Sequence, residues 1–221
     1  MHTRNRAVAA LLVVVLVMAA ACARSGGSGS TPPDGGGGGG GIPGMIHKRV
    51  TYPPVRVPGG KAGDMGMKNA NVLIAEKPCT NCYIVRFKAG LVDQSGKQVN
   101  VPEGYWLHHM VLTNNLPSSP GLACGMEGFF TSGNERIMLD LSKSGSYGYP
   151  VRATDSWSLI EELANVTTEA KTMSVTVDFD YVPIGTPGMR AAKPIWIGAA
   201  GCLGSYIPAT PGQHTYSWTW T

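Results

Sequence analysis

From Met173 to Tyr181 the chain alternates strictly. Met173, Val175, Val177, Phe179 and Tyr181 fall on one face, and Ser174, Thr176, Asp178 and Asp180 on the other. A period of two is that of a half-buried strand in an antiparallel sheet. Further short runs rich in Val, Ile, Thr, Tyr, Phe and Trp occupy residues 71–75, 82–88, 105–113, 136–141, 172–182, 194–198 and 214–221, divided by Gly, Pro, Asn and Ser,. Asp93-Gln-Ser-Gly96-Lys97 reads as a hairpin turn in which Gly96 supplies a positive φ. Ser156–Leu163 fits either a helical turn or a strand. Many short strands separated by polar turns predict an all-β chain, an antiparallel β-sandwich or jelly roll.

The amino-terminal segment has a different pattern. Arg4 and Arg6 precede an apolar run, Ala7–Ala21, that is shorter than the roughly 20 residues needed to span a bilayer,. It reads as a signal peptide over residues 1–21. Ala19-Ala20-Ala21-Cys22 resembles a bacterial lipobox, although Ala19 stands where Leu is the best-known residue. Cys22 is thus a candidate lipidation site and membrane anchor; the alternative is an ordinary cleavage near Ala21. Both readings place the protein outside the cytoplasm. Residues 22–44 form a Gly/Ser/Pro-rich tether containing eleven of the thirty glycines, with too little apolar surface to offset chain entropy,. Residues 45–221 remain for one folded domain.

Composition then narrows the function classes. Setting aside Arg4, Arg6, Arg24 and Asp34 reduces the formal charge from +4 to +2. No basic stripe with interleaved aromatics occurs, so nucleic acid is not an expected partner. There is no Gly-x-Ser-x-Gly elbow, HExxH or phosphate loop, and the seven-glycine run lacks the Gly-Lys-Ser/Thr of a phosphate cradle,.

Cys79, Cys82, Cys124 and Cys202 are an even set in an exported chain, which predicts two disulfides with three possible pairings,. Cys79-Thr-Asn-Cys82 also has the spacing of zinc knuckles and thioredoxin-type sites. A second ligand pair for zinc is missing, and Tyr83-Ile84-Val85 is strand-like where a redox site has a helix.

The chemically richest segment is Leu107-His108-His109-Met110. Adjacent histidines supply two imidazole nitrogens suited to copper or zinc. In a regular strand, however, neighbours point to opposite faces. Both can reach one metal only at a bulge, a strand end, or through different ring rotations; otherwise one is a core and one a surface histidine. His47 and His214 read as solvated. The ten methionines are scattered without a Met-x-Met cluster. Glu161-Glu162 and Asp178/Asp180 read as solvated carboxylates.

Cys79-Thr-Asn-Cys82-Tyr-Ile, Gly90-Leu-Val-Asp, Trp106-Leu-His-His-Met-Val-Leu, Phe129-Phe-Thr-Ser-Gly-Asn-Glu-Arg136, Tyr147-Gly-Tyr-Pro-Val151, Asn165-Val-Thr and Val177-Asp-Phe-Asp-Tyr-Val-Pro183 follow in order within a resemblance that covers about residues 70–221. This series resembles the amino-terminal domain of the copper type II, ascorbate-dependent monooxygenases. It is closer still to their exported bacterial relatives grouped with the plant stress-up-regulated nodulin proteins. The resemblance implies a jelly-roll sandwich in which His108 and His109 bind one copper. It also implies pairing of Cys82 with Cys124 and Cys79 with Cys202.

Two departures temper those implications. The family's third histidine falls at Ala164, and no His lies between His109 and His214. A two-imidazole site helped by Met110, a backbone group or water is then expected to bind copper weakly. The chain ends Ser217-Trp-Thr-Trp-Thr221 without the Gly-His-x-His that opens the family's second copper domain. The expectation is an exported, lipid-anchored module that is not catalytic alone. The alternative is a copper-dependent monooxygenase, as a fragment or completed by a second copper domain or protein partner.

Overall fold

The computed structural model describes residues 42–61, 63–115, 127–195 and 211–215. The expected signal peptide, most of the expected tether including Cys22, and Cys124 and Cys202 lie outside the described residues. So does most of the two expected carboxy-terminal strands.

The described residues form eleven strands and two short 3-10 turns, in two sheets. The first sheet holds β1 (Ile46–Thr51), β10 (Lys171–Pro183), β4 (Cys82–Asp93), β8 (Tyr147–Val151) and β11 (Arg190–Ala191) in that order, with β2 (Val55–Val57) on β10 and β7 (Leu139–Asp140) on β4. The second holds β3 (Gly66–Val72), β9 (Trp157–Asn165), β5 (Tyr105–Asn114) and β6 (Glu127–Ser132). All pairings are antiparallel except β8 with β11. The architecture is the expected all-β sandwich.

The apolar face of β10 is realised as read, but the polar face reaches solvent only at Asp178 and Asp180, because Ser174 and Thr176 are buried. Met173, Val175, Val177 and Phe179 are fully buried. Asp178 and Asp180 face outward and meet basic side chains across the register: Arg49 donates to Asp178 at 2.6 and 2.8 Å, His47 lies 2.8 Å from Asp180, and Arg86 donates to Asp180 at 3.5 Å. Such cross-strand ion pairs favour the correct register. His47 is therefore exposed, as expected, but paired with a carboxylate.

The core between the sheets is mostly aliphatic and contains one aromatic cluster. Phe87 stacks on Phe130 with centroids 5.0 Å apart and meets Phe179 edge-on at 5.8 Å. Phe129 lies 4.4 Å from Tyr149 and 4.6 Å from Trp157. The hairpin at Asp93 forms as predicted, with Gly96 at φ 82° and the Asp93 carboxylate accepting from the backbone of Ser95 and Lys97.

Several local expectations change. Ser156–Leu163 lies mainly in β9, as a strand. The 71–75 run instead contributes the end of β3, which stops at Val72 and leaves Leu73 and Ile74 exposed. The 136–141 run forms only the two-residue β7, because Arg136 sits at φ 47° in a turn and Ile137, Met138 and Leu139 are all exposed. An apolar run without alternation gives a sheet no buried face. Pro194 and Ile195 lie outside the strands.

Cys79 and Cys82 are bonded to each other, with Cα atoms 6.2 Å apart. Asn81, at φ 53°, turns the chain between them and brings them within disulfide range,. This replaces the partners Cys202 and Cys124 implied by the resemblance.

Candidate metal centre

A 3-10 turn at Val101–Glu103 delivers the chain into β5. Asn100 and Glu103 cap each other's backbone, and Gly104 closes the turn at φ 91°, a conformation that favours glycine,. The following strand pairs with β9 out of simple alternation. Leu107 faces Leu163 and His109 faces Glu162, so His108 is an extra residue opposite the same partner. This is a β-bulge.

The bulge resets the strand's phase. Leu107 and Met110, on either side of the histidine pair, are both fully buried. His108 and His109 both remain on the outer face, their side chains 44% and 45% exposed. Two neighbours that a regular strand would separate are thus brought to one side. Met110, a candidate helper ligand, is instead a core residue on the opposite face and is removed from the histidines.

Glu162 completes the group. Its Oε2 lies 3.0 Å from His108 Nδ1 and 3.2 Å from His109 Nδ1, and the two ring nitrogens are 3.1 Å apart. Donors bound at about 2.0–2.1 Å to one ion stand about 2.9–3.4 Å apart at angles of 90–109°. The three atoms therefore have the spacing of ligands around a single transition-metal ion, and among the described residues these three side chains are the cluster able to hold one. Two exposed imidazoles leave one side of the group open to solvent.

The place of the missing histidine is also defined. Ala164 lies two residues along β9 from Glu162, opposite Trp106 on one side and Met67 on the other, and is fully buried. Its methyl group offers no donor. The third donor is instead the carboxylate in direct register with His109.

Glu161 and Glu162 do not act as a pair of solvated acids. Strand alternation sends Glu162 outward and Glu161 into the core, where it is 1% exposed and neither carboxylate oxygen has a hydrogen-bond partner. Burial pushes its carboxyl up to about 7,. His214 is exposed and does not belong to the metal cluster.

Glu162 is not legible as a candidate ligand along the chain, because its place in the cluster depends on which strand lies beside β5. The sequence signal was present only as a carboxylate two positions before the expected third ligand.

No protein-family profile matches the chain. It is 30% identical over 141 residues to the probable copper-dependent oxygenase M1 of Phoma sp., a match covering 61% of this chain and 36% of that protein. It is 29% identical over 128 residues to the probable copper-dependent oxygenase clz3 of Cochliobolus lunatus, covering 55% and 41%. The chain thus spans about two fifths or less of the curated relatives it matches. Among solved structures, the Yersinia pseudotuberculosis-derived mitogen aligns with 60% of this chain and 86% of its own, at 15% identity and a TM-score of 0.28. The two fungal similarities give the chain a loose relation to copper-dependent oxygenases.

Proposed function

We propose that this chain is an exported copper-binding module of the copper monooxygenase type, in which His108, His109 and Glu162 hold one ion. The observation that carries this reading is the bulge, which gathers two imidazoles and a carboxylate within 3.0–3.2 Å of one another. Copper in such a site would supply one-electron redox chemistry.

The protein's residues set which form is favoured. Two imidazoles and an anionic oxygen suit Cu(II) better than soft-ligand Cu(I), and Cu(II) outranks the other divalent first-row metals at such donors. Exchange of the family's third imidazole for a carboxylate thus biases the site toward the oxidised ion. On this reading the module does not turn over alone. Exposed Met67 and Ile160 on the same sheet face support contact with a second domain or protein partner. A lipid on Cys22, with the Gly-rich segment as spacer, would hold the module at the outer membrane surface. Cys22→Ser is expected to move the protein from the membrane fraction to the soluble exported fraction, read by fractionation.

Titration of Cu(II) and Zn(II) into the full chain, followed by calorimetry and paramagnetic resonance, tests the site. His108→Ala and His109→Ala should each weaken Cu(II) binding by about 100-fold, and Glu162→Gln by about tenfold, as losses of donor groups worth roughly 1.4 kcal/mol per decade. Cu(II) affinity unchanged in the His108→Ala/His109→Ala double variant would falsify the assignment. Glu162→His is expected to shift preference toward Cu(I).

A further inference from the structure

The described chain enters the sandwich through residues 42–46, and the strand registers place that entry at one end of both sheets. Ile46 pairs with Tyr181, Tyr181 with Ile84, Pro183 with Cys82, and Cys82 with Val151. Residues 152–156 carry β8 into β9, whose first residues meet the last of β3: Val72 pairs with Leu159, and the Ala75 N–H donates to the Trp157 carbonyl at 2.9 Å. Lys77 ties the segments together here, its ammonium group donating to the carbonyls of Arg152 and Asp155 at 3.1 and 2.7 Å. Because β11 runs parallel to β8, residues 192–195 leave toward the same end.

Five aliphatic side chains stand in water at this end, on four separate segments. Ile74 is 86% exposed, Leu73 78% and Ile195 63%, with Ile184 and Ile46 close to half. Their backbones are held in place. Val72 and the buried Ala75 fix Leu73 and Ile74 from both sides, and the Ile184 N–H donates to the Asn81 carbonyl at 2.8 Å. Aliphatic surface kept in water is unfavourable, and a concentration of it marks a contact surface. The charge around it has one free sign. Arg152 and Lys193 are exposed, whereas Glu76 is paired with Lys48 at 2.8 Å and Asp155 is buried with one oxygen on the Arg152 N–H. Glu127, half-buried, accepts from the Tyr149 hydroxyl.

We propose that this end of the sandwich docks on a lipid bilayer, with Leu73, Ile74, Ile184 and Ile195 entering the boundary between headgroups and acyl chains and Arg152 and Lys193 meeting anionic headgroups. Separate aliphatic prongs suit a fluid phase that closes around each of them, whereas a protein partner needs a matching hollow for every one. The choice of a lipid surface rests on the reading of Cys22 as a membrane anchor. About twenty Gly-rich residues separate Cys22 from Ile42, a root-mean-square reach of about 25 Å, so the anchor brings the entry end to the surface rather than the end at Asn165,. Lipid and loops are then two membrane signals, the combination that stable anchoring takes, and basic residues near an anionic surface add to it. The metal centre stays in water. His109 precedes Asn114, at the docking end, by five residues, about 17 Å at strand rise, and its ring lies on the outer face of the second sheet,.

Residues 40–221 form a compact unit of their own, so the test uses residues 22–221 carrying Cys22→Ser, free of both the lipid and the apolar run. Co-sedimentation with vesicles of phosphatidylethanolamine and phosphatidylglycerol (about 3:1) is expected to show saturable binding, several-fold tighter than to phosphatidylcholine vesicles. Leu73→Ser/Ile74→Ser should weaken it at least tenfold, and Ile184→Ser less. Ile137→Ser, equally exposed but beside β7, should leave it unchanged. Arg152→Gln/Lys193→Gln should abolish the preference for the anionic vesicles. Cu(II) affinity should be the same in all of these variants. Three results would each overturn the proposal: no vesicle binding by the parent, equal binding by Leu73→Ser/Ile74→Ser, or an equal loss in Ile137→Ser. A dimer in sedimentation velocity that Leu73→Ser/Ile74→Ser breaks, without vesicle binding, would assign the surface to a second copy and overturn it too. The mass of the exported wild-type chain reports the lipid on Cys22 separately; an unmodified Cys22 with vesicle binding intact would remove the anchor and uphold the docking surface.

Discussion

Replacing Glu161 by leucine is expected to stabilise the metal-free protein at pH 8 by about 3 kcal/mol, and by much less at pH 5. The carboxyl group is 1% exposed, lies between the sheets opposite Met110 and Ala70, and has no hydrogen-bond partner for either oxygen. Ionising it there is unfavourable, which raises its folded-state value from 4.5 to about 7,. The sign follows from proton linkage. Between those two values the folded state holds a proton that the unfolded state has released, so stability falls as pH rises through this window and levels off above it. A shift of that size corresponds to roughly 3 kcal/mol. Urea denaturation from pH 4.5 to 8.5, with chelator present, should show this decline in the parent and its absence in Glu161→Gln. Equal pH slopes in parent and Glu161→Gln would sink the argument. Leucine adds the benefit of an apolar side chain at a core position, whereas glutamine still buries an unpaired amide.

The second large effect is expected at Asn165. Its amide nitrogen donates to the carbonyl oxygens of Pro58 and Glu169 at 3.1 and 2.7 Å, and its oxygen accepts from the Thr167 backbone and hydroxyl at 3.0 and 2.8 Å. The residue is fully buried at the end of β9, in register with both Gly66 and Tyr105. One side chain thus ties the ends of β3, β5 and β9 to the loops beside them. Asn165→Ala removes four hydrogen bonds and leaves partly buried backbone groups unpaired beside a cavity in the sheet end, at a cost of about 3 kcal/mol,. In a domain of this size that lowers the melting temperature by roughly 6–12 °C. Thermal unfolding measures it, and Cu(II) affinity should change little in the variant that remains folded. A loss below about 1 kcal/mol would show that water replaces the amide. The Asn-Val-Thr motif that contributes to the family resemblance therefore acts in this chain as a structural clamp.

Much of the sandwich was legible along the chain because strand faces repeat every two residues. The alternation in Met173–Tyr181 identified β10 and its buried side, and Asp93-Gln-Ser-Gly96 identified the hairpin before it. Alternation carries no signal where apolar residues run together. Leu73-Ile74 and Ile137-Met138-Leu139 have strand-like composition, yet they stand exposed beside turns. Glu127–Ser132 and the short β1 and β2 carried too little periodicity to be recognised. They pair because longer strands beside them present unsatisfied backbone groups at the right spacing.

The metal centre shows the same division more sharply. The amino-acid order determined that two imidazoles stand side by side in a strand, that no third histidine follows before His214, and that a carboxylate stands close before Ala164. Only the tertiary structure decided that the strand bulges at His108, so that both rings share one face and Met110 turns into the core. The same pairing decided that Glu162, rather than residue 164, supplies the third donor, and that Glu161 is its buried counterpart. Local pattern records the period of a strand, but its phase beyond a bulge and the identity of the residue opposite are set by hydrogen bonds between segments some fifty residues apart,.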